Sequence, residues 1–207
     1  MLNSDCFKGF GTAGPPIKDM VLKNEVKKLL KRSYDAKPKN FQNFTVDKEL
    51  SGKRVKVYTK NNEVYVVHRG TASFKDAYTD LQLFFGKDKN LKRLEHSRNI
   101  QNKAKEKYGK VDYTLGHSLG GYIAKDIFKK DNEGKLITYN EYVTPKSALT
   151  PKLNNHTEIR TKNDIVSMIP HLSNKRITIS TQRKLLPNPI REHKIGHINN
   201  INNNETI

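Results

Sequence analysis

A single cysteine, Cys6, among 207 residues excludes an internal disulfide and any metal site built from several thiolates. Such a chain suits a reducing compartment, or a protein whose folding does not depend on oxidation. Cys6 has no adjacent histidine or cationic cluster, so it is read as an unreactive thiol. Long apolar runs are missing as well. No stretch approaches the ~18 consecutive apolar residues of a spanning helix. The N-terminal "MLNSDCFKGFGTAGPP" has neither the basic n-region nor the apolar h-region of a signal peptide. These absences predict a soluble protein, intracellular or virion-associated. Acidic residues are also scarce, 21 against 39 Lys and Arg, which leaves a formal charge of +18. That excess favours anionic partners such as a phosphate backbone or an acidic lipid surface, although a solvated basic exterior accounts for it equally well.

At 34% hydrophobic residues the chain predicts a thin core in one domain over 1–207, with flexible ends at 1–18 and 198–207. Between Met20 and Arg32, Leu22, Val26, Leu29 and Leu30 recur at helical spacing. "RVKVYTK" and "EVYVVHR", separated by "NNE", read as a β-hairpin. Phe74, Tyr78, Leu81 and Phe85 make a second helical stripe. Leu91 to Lys110 reads as a basic helix with Leu94, Ile100, Ala104 and Tyr108 on its narrow apolar face. "VDYTL", a helix over Gly121–Lys130 and "KLITY" come next in strand, helix, strand order, with further strands in "HTEIRTK" and "KRITIST". This alternation predicts an α/β fold, a mostly parallel sheet flanked by helices and preceded by an N-terminal helix and hairpin.

Gly116-His117-Ser118-Leu119-Gly120 matches the G-x-S-x-G nucleophile elbow, with a strand on one side and an amphipathic helix on the other. A serine projecting from a tight strand-to-helix bend leaves no room for side chains two residues away, so both flanking positions favour glycine. The helix start aims the Leu119 N–H at the reacting oxygen, where it can hold an oxyanion. The competing interpretation is a packing turn with an inert serine. A serine nucleophile needs a base and an orienting acid, which elbow enzymes supply in the order Ser, Asp/Glu, His. Asp164, in "NDIVSMIP" after a strand, is the acid best placed by order, and the late segment "REHKIGHINN" offers His193 and His197.

Four segments, "VYVVHRGTASFKDAYTDL", "YTLGHSLGGYIA", "NDIVSMIP" and "HKIGHINNI", give the chain a resemblance to the class 3 (fungal-type) lipases of the α/β-hydrolase fold, in shortened form. They span Val64 to Ile201. The resemblance implies Thr71, after Arg69 and Gly70, as the second oxyanion donor, Asp164 as triad acid and His197, ahead of His193, as base. It also implies a lid over the segment that holds Asp80. The family's lid tryptophan is absent, with Ala77 in its place, and its segment after the next strand survives faintly as "VTPKSA".

The expected activity is that of a serine acyl hydrolase of lipid esters, working through a covalent acyl-enzyme with no metal or organic cofactor. The Phe74/Tyr78/Leu81/Phe85 stripe is either the apolar underside of a lid or the core face of a fixed helix. The positive charge suits an anionic membrane surface better than neutral fat. The alternative is an inactive hydrolase fold serving as a basic nucleic-acid, virion or interaction protein, for which charge is the sole indication.

Overall fold

A computed structural model describes residues 17–71, 89–143, 153–161, 175–179, 195 and 198. Seven strands form one sheet in chain order: β1 (Thr45–Val46), β2 (Val55–Lys60), β3 (Glu63–His68), β4 (Tyr113–His117), β5 (Lys135–Tyr139), β6 (His156–Thr161) and β7 (Lys175–Ile179). The first two pairings are antiparallel and β3 through β7 run parallel. Three helices are described, α1 (Ile17–Arg32), α2 (Lys89–Tyr108) and α3 (Leu119–Asp131). The chain is therefore mixed α/β with a mostly parallel sheet flanked by helices, as the alternating pattern predicts.

The hairpin closes on two residues. Asn61 and Asn62 have φ of 48° and 63°, the left-handed pair whose twist matches adjoining strands, so Glu63 already pairs with Lys60 as the first residue of β3. Side-chain alternation then splits the core. Tyr65 and Val67 face a cluster with Leu22, Val26, Leu29 and Leu30 of α1, together with Leu115, Tyr139 and Ile159. Val64 and Val66 face the other way, toward Ala104 and Ile100 of α2. On α3, Ile123, Ala124, Ile127 and Phe128 are all buried, as the helical spacing predicts. Among the described residues no helix is long and apolar enough to cross a membrane.

Some boundaries differ from expectation. α1 includes Ile17 and Lys18, which the sequence pattern assigns to a flexible lead-in, and β1 has no counterpart in that pattern. α3 starts at Leu119 rather than Gly121, because Ser118 itself turns the chain. Ile198, by sequence the start of a frayed tail, is fully buried in the α1-side cluster, and partly buried Ile195 packs against it. Burial of that isoleucine fixes the backbone there to the sheet.

Candidate active site

A tight strand-to-helix bend forms at Ser118. β4 ends at His117, α3 begins at Leu119, and Ser118 between them has φ 56° and ψ −125°. Residues other than glycine avoid such a conformation, at a cost of order 1–3 kcal/mol, unless their surroundings enforce it. Backbone hydrogen bonds enforce it here. Ser118 N–H donates to Tyr139 O at 3.0 Å, and its carbonyl accepts from Gly121 at 2.9 Å and from Tyr122 and Tyr142 at 3.2 Å. Serine at a helix N-cap ordinarily accepts from the first turn, but the Ser118 hydroxyl makes no capping bond. Serine's usual structural role at this position is unused.

The flanking glycines are required by close approach. A Cβ on Gly116 would lie 2.4 Å from Gly120 O, and one on Gly120 would lie 2.2 Å from His68 O. The end of β3 is thus pressed against the elbow, and so is the loop after it. A Cβ on Gly70 would meet His117 O at 2.7 Å and Ser118 Cβ at 3.0 Å. The two segments expected to donate to an oxyanion are therefore adjacent. The Leu119 N–H, in the first turn of α3, has no intrahelical acceptor. Thr71 Oγ1 is buried without a hydrogen-bond partner. An unpaired buried hydroxyl costs about 1–3 kcal/mol, so the position calls for a function or a missing partner.

Tyr34, which lies just after α1, joins the site without belonging to any sequence motif. Its hydroxyl shares a 2.5 Å hydrogen bond with His117 Nδ1 and takes a backbone hydrogen bond from Gly70. Burial is the main cause pushing the Tyr34 hydroxyl above its ordinary range, and so it stays a neutral donor. The phenol thereby ties the elbow to the Gly70–Thr71 loop. Lys56, fully buried, helps to place it by donating Nζ to Ser33 O at 2.7 Å, and burial lowers its pKa to about 8. No sequence signal marks Tyr34. It sits in a turn, and only the fold brings it across the sheet.

Behind the elbow is a buried ionic group. Lys125 Nζ is 3.1 Å from Glu141 Oε1, at ion-pair distance though not in hydrogen-bond alignment, and His156 Nε2 is 3.7 Å from Glu141 Oε2. Glu158 pairs with Arg160 at 3.2 Å. Burial raises Glu141 to about 7 against the opposing pull of Lys125. Glu141 also packs on Gly121, whose added Cβ would lie 3.2 Å from its Cβ. On the neighbouring strand β3, His68 reaches Gln101 Oε1 at 3.4 Å, and burial drives its pKa down to about 4.

The structure thus brings together Gly116, His117, Ser118, Leu119, Gly120 and Thr71. Asp164, His193, His197 and the Phe74/Tyr78/Leu81/Phe85 stripe, with Asp80, lie outside the described residues. Among the described residues no group of His, Cys, Asp and Glu is arranged to hold a metal ion. No family model matches the chain, and no curated protein matches it.

Proposed function

We propose that the protein is a serine acyl hydrolase of the α/β-hydrolase type, similar to a shortened class 3 lipase. The observation that carries this is Ser118: a non-glycine residue in a costly left-handed conformation, at a strand-to-helix bend, whose hydroxyl does not cap its own helix. Thr71's unpaired buried hydroxyl, on the loop that abuts Ser118, adds support. In this mechanism Ser118 Oγ attacks an ester carbonyl, and the Leu119 N–H and Thr71 hydroxyl hold the oxyanion. His197, oriented by Asp164, takes the serine proton and passes it to the leaving alcohol, after which water releases the acid. His193 is the alternative base. Ile195 and Ile198, on either side of His197 in the sequence, pack on the same core face as Leu115 and Tyr139.

Ser118 is 2% exposed, so an ester reaches the hydroxyl only when that burial is relieved. That weighs against a permanently open site rather than against acyl transfer. The test is hydrolysis of a panel of p-nitrophenyl esters and phospholipids. Wild type should turn over at least one class, Ser118→Ala none, and His197→Ala should lose activity where His193→Ala keeps it. Activity retained by Ser118→Ala would refute the proposal.

A further inference from the structure

Three arginines gather where β3 meets the loop that touches Ser118. Arg69 N–H donates to Arg54 O at 2.9 Å. Arg93 of α2 donates Nη2 to Arg69 O at 2.5 Å and reaches Gly70 O at 3.4 Å. The Arg69 guanidinium lies over the Tyr34 ring, 5.6 Å from its centroid. Burial, and after it the charges of Arg54 and Arg69, depresses Arg93 to about 10. Nε of Arg69 and Nε of Arg93 are both buried without a hydrogen-bond partner, and Arg69 is only 9% exposed.

Among the described residues no carboxylate forms an ion pair with this cluster. The ion pairs that arginines make among the described residues use Arg32, Arg98 and Arg160, and none includes Arg54, Arg69 or Arg93. The nearby carboxylate, Asp35, acts on buried Lys56 and is itself held by Arg32 at 3.0 Å. Gathered like charges with idle buried donors repel one another, and an anion placed among them would relieve that cost.

We propose that Arg54, Arg69 and Arg93 form a subsite for a phosphate group carried by the ester that Ser118 attacks. The substrate class is then an ester with an anionic phosphate on its alcohol side, such as an acidic phospholipid. This inference rests on Ser118 being the nucleophile. Guanidinium forks match phosphate oxygens in shape as well as charge, and the orphan Nε donors offer bonds the chain leaves unmade. Exposed Arg54 meets the ligand first, while half-buried Arg93 and buried Arg69 lie inward beside Gly70. The phosphate itself does not react. The bond from Ser118 Oγ to the acyl carbon forms, the ester C–O bond breaks, and the phosphate-bearing alcohol leaves with the imidazole proton.

The experiment compares kcat/KM for monomeric short-chain phosphatidylglycerol and the matching neutral diacylglycerol, at low salt. Wild type is set against Arg54→Gln, Arg54→Gln with Arg93→Lys, and Lys103→Gln on the exposed face of α2. The phosphatidylglycerol preference should fall several-fold in Arg54→Gln and about tenfold in the double variant. The diacylglycerol rate is the reference for each variant, and the preference of Lys103→Gln should not change. An unchanged preference in both arginine variants, or an equal fall in Lys103→Gln, would overturn the subsite. If wild type hydrolyses neither ester and Ser118 resists a fluorophosphonate, the nucleophile proposal fails by itself. Binding then decides the subsite, through arginine Nε–H resonances titrated with inorganic phosphate and with short-chain phosphatidylglycerol. Saturable shifts that are lost in the double variant support it, and no shift overturns it. Tighter binding of inorganic phosphate than of the lipid overturns the assignment to a substrate headgroup.

Discussion

Two charged regions flank Ser118, and they handle charge in opposite ways. Behind the elbow, Lys125, Glu141, His156, Glu158 and Arg160 are buried or nearly so, and each cation stands against a carboxylate. In front, Arg54, Arg69 and Arg93 gather beside Gly70 with no carboxylate in an ion pair among the described residues. The overall excess of base does not by itself explain the difference, because buried Lys125 and Arg160 of this same chain stand against carboxylates. The rear group is a support that sets the position of Gly121 and the elbow helix. The front group leaves the Nε donors of Arg69 and Arg93 without hydrogen-bond partners.

The comparison can be broken by removing one partner at the rear. Lys125→Met should remove the nearest cation from buried Glu141 and cost about 3–5 kcal/mol in denaturant unfolding above pH 7, where the carboxylate is charged. A loss below about 1 kcal/mol would mean the rear pair bears no structural load. The pH dependence of stability should separate the rear group from His68. Burial holds the folded Glu141 pKa at about 7, above its ordinary 4.5, so its contribution is fully present below 4.5 and is lost as pH rises through 7. His68 has the opposite sign. Its folded pKa is depressed to about 4 from 6.5, so its contribution is present above 6.5 and lost as pH falls through 4. Glu141→Gln should therefore give a steeper rise in stability from pH 4.5 to 6.5 than wild type, measured by urea unfolding. A parallel curve would contradict the assignment.

Tyr34→Phe comes next in size. Losing the hydroxyl frees the elbow from the Gly70–Thr71 loop and should lower kcat about tenfold on a neutral short-chain ester with little change in KM. Equal changes in kcat and thermal stability would reduce Tyr34 to a packing residue. The smallest effect is expected at the front, where Arg54→Gln should alter unfolding free energy by no more than about 0.5 kcal/mol. The charge is exposed and already repelled by its neighbours.

Much of the fold is legible in the sequence where periodicity speaks. The α1 stripe, the hairpin, β4 through β7 and the buried face of α3 follow from spacing, and so does the elbow, because steric demand fixes glycine at Gly116 and Gly120. The inward face of α2 is only half visible. Besides Ala104 it buries Ser97 and Gln101, polar residues at helical spacing after Arg93. Gln101 is satisfied by Thr114 Oγ1 at 2.9 Å. A search for apolar periodicity passes over such a stripe, and the basic run "KDKNLKR" hides Arg93 among lysines that read as solvated. Tyr34 and Lys56 are illegible for a different reason. Their roles depend on contacts to residues 83 and 23 positions away, which local pattern does not encode.

The most direct measurement is fluorophosphonate labelling of the intact protein followed by mass spectrometry of its peptides. A single phosphonyl adduct on Ser118, absent from Ser118→Ala and slowed in His197→Ala, is the predicted result. Failure of the wild-type serine to label after prolonged incubation would contradict the assignment of Ser118 as a nucleophile.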